Sequence, residues 1–153
     1  MIAIRPAAEH DEKFVIASWL SSWRAADAAG LIQDEDWFPV MWPQIKKALS
    51  RPDVQTLVAY ETDEADHVAD LYGFITADTA AATPLLYYCY TKLAYRRMGV
   101  ARRLFAAVGL DAHRRFEYVC KAPQPAELVA KAPFARWNPA AGRRPKNDNK
   151  RTP

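Results

Sequence analysis

At the centre of this chain stands the stretch Tyr95-Arg96-Arg97-Met98-Gly99-Val100-Ala101, a basic turn built around one glycine. The preceding residues 85–91 are apolar and aromatic, which is typical of a buried β-strand. The following residues 100–110 carry apolar side chains at the spacing of a helix. A strand that becomes a helix through such a turn leaves free backbone N–H groups at the helix N-terminus. These groups and the helix dipole favour a phosphate or pyrophosphate, and Arg96 and Arg97 add positive charge beside them.

The length and composition predict one domain followed by a basic tail. The chain has 153 residues, of which 50% are hydrophobic and 12% aromatic, so a substantial core is available. We expect a single domain over residues 1–138 and a disordered tail over residues 139–153. The net charge is +3, but residues 143–153 alone hold five basic residues and one acidic residue, a net of +4, which leaves the body at about −1. The body is therefore not a basic nucleic-acid-binding surface, although the tail could contact anionic partners. A solubilising end is the simpler interpretation of that tail.

The chain shows no signal for a membrane. No apolar run approaches the roughly 18–20 residues that a membrane helix needs, and the N-terminus lacks the pattern of a signal peptide. We therefore expect a cytoplasmic protein with no membrane partner. Cys89 and Cys120 both lie in apolar, strand-like runs, which predicts buried thiols in a reducing compartment, with a disulfide or a reactive pair as the alternative.

The apolar spacing along the chain predicts the element order β-α-α-β-β-β-α-β-α-(β). This is an α+β chain with a mainly antiparallel sheet and one parallel crossover around Gly99. Gly30 stands where the first helix should end, and Pro43 indicates a break or a kink in the second. The predicted strands are 2–5, 56–60, 69–76, 85–91 and 116–120, the predicted helices are 11–28, 34–49, 100–110 and 125–132, and residues 134–137 form an extended stub.

Both this order and the turn resemble the GCN5-related N-acetyltransferase (GNAT) superfamily. The acetyl-CoA signature of that superfamily, Gln/Arg-x-x-Gly-x-Gly/Ala, is matched by residues 96–101, and Tyr95 supplies the frequent Tyr-Arg opening. Residues 4–7 are similar to the usual first strand. The resemblance in topology covers roughly residues 2–138, and the specific match covers residues 90–101. It implies a GNAT-like fold with a β-α-β acyl-CoA-binding crossover, truncated at its C-terminal end.

The resemblance also implies acetyl-CoA as co-substrate, with no metal. The backbone N–H groups of residues 97–101 would hold the pyrophosphate, and a side chain at Gly99 would block its close approach. The pantetheine arm would pair with backbone groups of residues 89–91, where the fourth and fifth strands splay apart. The alternative is that Gly99 only eases a tight turn and that the arginines are solvated. The implied coenzyme-binding residues are Cys89, Tyr90, Thr91, Arg96, Arg97, Met98, Gly99, Val100 and Ala101.

A more detailed resemblance is to GNAT-like open reading frames of tailed bacteriophages. It rests on Trp19-Leu20-Ser21-Ser22-Trp23-Arg24, on Tyr90-Thr91-Lys92 before the arginine turn, and on Trp137-Asn138-Pro139. It implies a phage-encoded protein, located in the host cytoplasm or in the virion. Phage particles carry GNAT-like proteins whose role is not obviously catalysis.

The sequence does not identify a general base or acid. Deprotonation of an amine calls for a base, commonly a carboxylate, but there is none between Asp78 and Asp111. In the last predicted helix Val129 occupies the place of the superfamily's acid tyrosine and Pro133 that of a glycine. The other candidates for a base or an acid each have a simpler structural explanation. His67 and His113 are explained as solvated side chains. Asp34, Glu35 and Asp36 are explained as helix N-terminal charges, although they could attract a cationic amine. Glu61 and Asp70 are base candidates that stand at the ends of a hairpin. Tyr88 and Tyr90 are expected on one face of the fourth strand and Tyr87 on the other, as core or cleft-wall aromatic residues.

Three hypotheses of function follow. The first is an acetyl-CoA-dependent N-acetyltransferase whose acceptor is a small-molecule or protein amine. The second is a catalytically inactive GNAT-fold structural or interaction protein, in a phage particle. It is favoured by a C-terminal hairpin reduced to residues 134–137, because an open sheet edge there invites a second copy or an assembly partner. The third is a nucleic-acid-contacting accessory protein acting through the tail and the pairs Arg102-Arg103 and Arg114-Arg115.

Overall fold

The computed structural model describes residues 1–26, 34–62, 68–110, 114–119 and 131–141. The helices are α1 (Glu12–Ala26), α2 (Asp34–Leu49) and α3 (Val100–Val108), and the strands are β1 (Ile2–Pro6), β2 (Val54–Thr62), β3 (Val68–Asp78), β4 (Leu85–Thr91), β5 (Phe116–Tyr118) and β6 (Ala135–Trp137). Several features named in the sequence analysis lie outside the described residues. They are Gly30, His67, His113, Cys120, most of the predicted helix 125–132, and residues 142–153.

The strands form one six-stranded sheet in the order β1-β2-β3-β4-β5-β6. The pairs from β1 to β4 are antiparallel, whereas β4–β5 and β5–β6 are parallel. The predicted α+β class is confirmed. The extended stub predicted at residues 134–137 pairs alongside β5 as β6. The sheet therefore contains a second parallel pair in addition to the one in the predicted crossover around Gly99.

The helices cover both faces of the sheet and create two hydrophobic cores. Helices α1 and α2 pack on one face, which we call the α1/α2 face, against Val58, Phe74 and Tyr88. Helix α3 packs on the other face, the α3 face, where Leu104 is fully buried against residues such as Ile75 and Phe116. The side chains of Val100, Leu104 and Val108 are buried, as expected from the helical spacing of the apolar residues in 100–110.

Helix α2 runs through both of its prolines without a break. Pro39 and Pro43 lie inside the helix Asp34–Leu49, so the predicted break at Pro43 is wrong. Four residues on one stripe of the helix are buried against the sheet and α1: Trp37, Met41, Ile45 and Ala48. Because this packing extends on both sides of the prolines, it holds the helix together despite the hydrogen bonds that proline cannot donate.

A β-bulge shifts the side-chain alternation in the middle of β4. In the pairing with β3, Thr76 lies opposite Tyr88 and Ala77 opposite Leu86, so Tyr87 is the extra residue on β4. As a result Tyr87 packs on the α1/α2 face together with Tyr88. The prediction that Tyr87 points to the opposite face is therefore wrong, since strict alternation does not continue through a bulge. Tyr90 lies on the same face as Tyr88, as predicted.

Candidate functional site

The basic turn has the backbone shape of an anion-binding loop. Residues 93–95 form a short 3-10 turn, after which Arg97 and Gly99 adopt positive φ angles of 66° and 78°. The first helical hydrogen bond of α3 runs from the Arg103 N–H to the Gly99 carbonyl, at 3.0 Å. Among the described residues, no backbone carbonyl outside α3 accepts a hydrogen bond from the N–H groups of residues 97–102. These N–H groups are thus available to an anion.

Position 99 favours glycine because of its backbone conformation and not because neighbouring atoms leave no room for a side chain. A Cβ placed on it would have nothing within 4 Å, while its φ of 78° disfavours any L-residue with a side chain. The space in front of Gly99 is therefore open. The open space agrees with both interpretations of Gly99 from the sequence: that glycine only permits a tight turn, and that it leaves room for a bound ligand.

The arginines of the turn differ in their surroundings. Arg97 is exposed, as is Met98, which is 53% exposed. Arg96 donates from Nε to the carbonyl oxygen of Thr91, at 3.3 Å, so its side chain bends back over the end of β4. Arg97 therefore carries the free positive charge at the turn, and Arg96 sits between the turn and the strand.

Among the described residues, β5 pairs with β4 only at the beginning of β4. The register joins Leu85 to Glu117 and Leu86 to Tyr118, and the Val119 N–H donates to the Leu86 carbonyl at 3.1 Å. After Leu86, no described residue pairs with β4 on its β5 side. Within the described part of the chain, the later half of β4 is therefore unpaired on this side, toward the basic turn, and we call this side the open edge.

The hydrogen-bond pattern decides which backbone groups of β4 reach this open edge. The Lys92 N–H donates to the Tyr72 carbonyl at 2.8 Å, and in an antiparallel ladder such bonded pairs recur at every second residue. Tyr90, which lies opposite Phe74, therefore uses its backbone groups within the sheet. Those of Cys89 and Thr91 face the open edge. The predicted set of residues 89–91 is thus reduced to Cys89 and Thr91, because Tyr90 is already paired.

The side chains at the end of β4 offer little chemistry. Cys89 is a free cysteine, partly exposed, and desolvation raises the pKa of its thiol to about 12. A thiol with such a pKa is not an activated nucleophile. The hydroxyl of Thr91 is buried and has no partner among the described residues. The raised pKa agrees with the predicted unreactive thiol, whereas the side chain is partly exposed and not buried as predicted.

Asp70 lies beside the turn but is engaged by two donors. Its carboxylate accepts from the Lys92 Nζ and from the Tyr95 hydroxyl, each at 2.6 Å. These hydrogen bonds, the one from Lys92 first, lower the pKa of Asp70. A carboxylate held in this way is a poor base, which argues against the role that the sequence offered for Asp70.

Tyr72 completes this arrangement on the α3 face. Its ring stacks on that of Tyr95 with centroids 3.9 Å apart and an interplanar angle of 25°. Burial, and then a hydrogen bond to Glu61, raise the pKa of Tyr72 to about 12. Glu61, the second base candidate at the hairpin end, is thus also engaged. We refer to Asp70, Tyr72, Lys92 and Tyr95 as the Asp70 clamp.

The α1/α2 face beside the open edge is aromatic. The Tyr88 hydroxyl lies 2.8 Å from the Ser22 Oγ, and its ring stacks on Trp19 with centroids 5.1 Å apart. Tyr88 is only 3% exposed, which fits the expected core aromatic. The indole N–H groups of Trp19 and Trp37 and the Tyr87 hydroxyl are buried without a partner among the described residues.

Glu117 is a further candidate residue that no sequence motif indicates. Its strand neighbours Phe116 and Tyr118 pack on the α3 face, so alternation directs Glu117 to the α1/α2 face. The Asn138 Nδ2 donates to its carboxylate at 3.0 Å. The side chain is partly exposed, and it lies one residue before the point where β4 and β5 separate. The signal was present in the alternation of residues 116–118, but the sequence does not show that Asn138 approaches the Glu117 carboxylate.

The remaining charged candidates lie exposed on helices α2 and α3. Glu35 and Asp36 are exposed in the first turn of α2, in agreement with helix N-terminal charges. Arg102 and Arg103 are exposed on α3. Among the described residues, no group of three or more His, Cys, Asp or Glu side chains could hold a metal ion, and no helix has the length and apolarity to span a membrane.

The sequence matches no protein-family model and no curated protein. The structure is similar to solved acetyltransferase structures. A protein of Pyrococcus furiosus named "putative acetyl transferase" superimposes with a TM-score of 0.56 at 15% identity, over 71% of this chain and 72% of that one. The PaiA N-acetyltransferase of Thermoplasma acidophilum, in complex with coenzyme A, gives 0.49 at 21% identity, over 71% and 70%. A GNAT family acetyltransferase of Brucella melitensis, in complex with acetyl-CoA, gives 0.46 at 16% identity, over 71% and 66%. The chain thus shares its mixed α+β fold with the acetyltransferase structure from Pyrococcus furiosus.

Proposed function

We propose that this protein is an acetyl-CoA-dependent N-acetyltransferase acting on an amine. The observation that carries the proposal is the continuity of two features: the open edge of β4, with the backbone groups of Cys89 and Thr91, and the free N–H groups of the turn that begins α3. An elongated ligand with an amide-bearing arm and a pyrophosphate would fit both at once. Coenzyme A has this chemistry.

The residues present fit such a ligand. No described backbone carbonyl outside α3 accepts from the N–H groups of residues 97–101, and a Cβ on Gly99 would meet nothing within 4 Å, so a pyrophosphate can approach the backbone closely. Arg97 adds charge there. The Arg96 Nε already donates to the Thr91 carbonyl, whose second lone pair could accept from the arm of the ligand.

The chemistry would take place on the α1/α2 side of the open edge. The acceptor amine, deprotonated by a base, would attack the thioester carbonyl carbon of acetyl-CoA, and a backbone N–H of β4 would polarise that carbonyl. The C–N bond would form as the C–S bond breaks, and CoA would leave as a thiolate that takes its proton from solvent. We assign the base to Glu117, since it is the one carboxylate on the described parts of β4 and β5 and it faces the α1/α2 side. Asn138 would hold the carboxylate in place.

The binding step is tested by a charge placed at the turn. In Gly99→Glu the added carboxylate blocks the cradle and repels a pyrophosphate, so we expect affinity for acetyl-CoA to fall by roughly 100-fold or more. Titration calorimetry on the full chain measures this change. Gly109→Glu is a matched control, because Gly109 also has a positive φ, 82°, and open space, but lies at the other end of α3.

Two results would contradict the proposal. If the wild-type protein takes up no acetyl-CoA at millimolar concentration, the function is wrong. If Gly99→Glu and Gly109→Glu bind acetyl-CoA equally well, the turn does not hold the pyrophosphate.

A second candidate is a GNAT-fold interaction protein without transferase activity. The observation that favours it is the exposure of large apolar side chains at the C-terminal sheet edge, where Phe134 is 55% and Trp137 48% exposed. Such an edge suits an assembly partner, and a place in a tailed-phage particle would agree with the motif resemblance. Acetylation of any member of a panel of polyamines and lysine peptides by the purified protein would exclude this candidate.

A further inference from the structure

The segment that leads from β4 into the basic turn is held by few apolar contacts. Leu93 is 76% exposed and Met98 is 53% exposed, so neither anchors the segment in the core. Val100, at 1% exposure, is the first fully buried side chain after the strand. Apart from the ring of Tyr95, which packs against the core of the α3 face, burial of apolar surface therefore contributes little to the shape of residues 92–99.

The Asp70 clamp supplies the missing anchor. Its two donors, Lys92 and Tyr95, stand at the beginning and end of the 3-10 turn that precedes Arg96. Both reach one carboxylate, each at 2.6 Å, and the ring of Tyr95 is stacked on Tyr72 of the same strand as Asp70. One side chain of β3 thus fixes both ends of the segment, two residues before the positive φ of Arg97.

We propose that Asp70 is a positioning residue for the coenzyme turn. Through its hydrogen bonds with Lys92 and Tyr95, Asp70 fixes the position of the backbone that enters residues 96–99. It thereby aligns the N–H groups that would bind the pyrophosphate. This inference rests on the proposed function. It differs from a purely structural role because the Asp70–Lys92 ion pair is about one-third exposed on each side chain, and exposed pairs contribute little to global stability. Loss of Asp70 should therefore affect pyrophosphate binding more than folding.

The test compares two ligands and two matched variants. Asp70→Asn keeps the size of the side chain but removes its charge, so we expect affinity for CoA to fall about tenfold, as for loss of one charge-assisted hydrogen bond. Affinity for pantetheine, which lacks the pyrophosphate, should change less than about twofold, and the melting temperature should stay close to that of the wild type. Asp78→Asn is the control: the same substitution at the other end of β3, where the carboxylate accepts from the Ala80 N–H. It should bind both ligands like the wild type.

Tyr95→Phe provides a second route to the same answer. It removes one of the two hydrogen bonds to Asp70 and keeps the ring stack on Tyr72, so it should weaken CoA binding in the same direction but less. Calorimetry with CoA and pantetheine on the full chain gives all of these values.

The outcomes separate the inference from the proposed function. If the wild type binds CoA and both Asp70→Asn and Tyr95→Phe bind it equally well, the positioning role is wrong and the function stands. If these variants lose CoA and pantetheine in equal measure, or melt far below the wild type, Asp70 is a general structural residue and the inference is likewise overturned. If the wild type binds no CoA, the proposed function itself fails and the inference falls with it.

Discussion

At the scale of single residues, the turn depends on backbone conformation more than on side-chain identity. Gly99 holds a positive φ that glycine tolerates without strain, and Arg97 holds one of 66° at a cost. A non-glycine residue in this conformation needs support from its surroundings. The neighbouring Asp70 clamp gives that support, because it holds the segment on the N-terminal side of Arg97.

The clamp also predicts how stability depends on pH. The pKa of Tyr72 is raised from 10.0 to about 12 in the folded protein, so the native state retains a proton that the unfolded chain releases. Its contribution to stability is complete below about pH 10 and is lost as the pH rises through 12. We expect Tyr72→Phe to reduce the decline of the free energy of unfolding between pH 8 and 11.5, measured by urea denaturation. A decline as steep as that of the wild type would contradict this prediction. Because the pKa of Tyr95 is raised as well, part of the decline should remain.

At the scale of the elements, the close approach of β3 and β4 depends on a second glycine. A Cβ on Gly73 would lie 2.2 Å from the carbonyl oxygen of Tyr90 and 3.1 Å from the Thr91 Cα. Both neighbours are backbone atoms, which cannot move aside unless the strands separate. Gly73 thus allows the sheet to bring the open edge of β4 into its observed position.

This contact makes Gly73→Ala a sharp test of the sheet. We expect it to lower the free energy of unfolding by an amount at the upper end of the roughly 1–3 kcal/mol typical of overpacking, because backbone must shift. Gly109→Ala is the matched control, with open space around it and only the strain of a positive φ, for which about 1 kcal/mol is expected. Denaturant melts compare the two variants. Equal losses would show that β3 and β4 have room to accommodate the methyl group.

At the scale of the whole molecule, the site is assembled from segments far apart in the chain. In the proposed function, the turn and β4 supply the binding surface, whereas the proposed base Glu117 and its partner Asn138 come from β5 and the residues after β6. Binding and proton transfer would then lie on different elements and should be separable by mutation.

Glu117→Gln tests this separation. If Glu117 is the base, the variant should bind acetyl-CoA within about twofold of the wild type but transfer acetyl groups roughly 100-fold more slowly, in the range typical for loss of general-base catalysis. Thiol release from acetyl-CoA with a panel of primary amines measures the rate. A variant as active as the wild type would remove Glu117 from the mechanism, and weaker binding of acetyl-CoA would assign it a structural role.

Much of the fold was accessible to local sequence signals. The strand 85–91 has the predicted bounds, helix α3 begins at Val100 as predicted, and the α+β class is confirmed. These features follow from interactions within a few residues: an apolar run, a glycine in the left-handed region and a helical spacing of apolar side chains. The continuity of α2 through Pro43 was not accessible in this way, because its buried stripe acts against partners distant in sequence.

The sequence by itself thus determined the basic turn, the strand before it and the helix after it, because local backbone preferences and apolar spacing act within a single segment. Only the tertiary structure decided that Tyr90 is paired while Cys89 and Thr91 are open, that Tyr87 shares a face with Tyr88, and that Asp70 engages the approach to the turn. Each of these depends on register, on a bulge or on a long-range contact. Such features arise from the balance of packing and hydrogen bonding across the whole sheet, which no single segment contains.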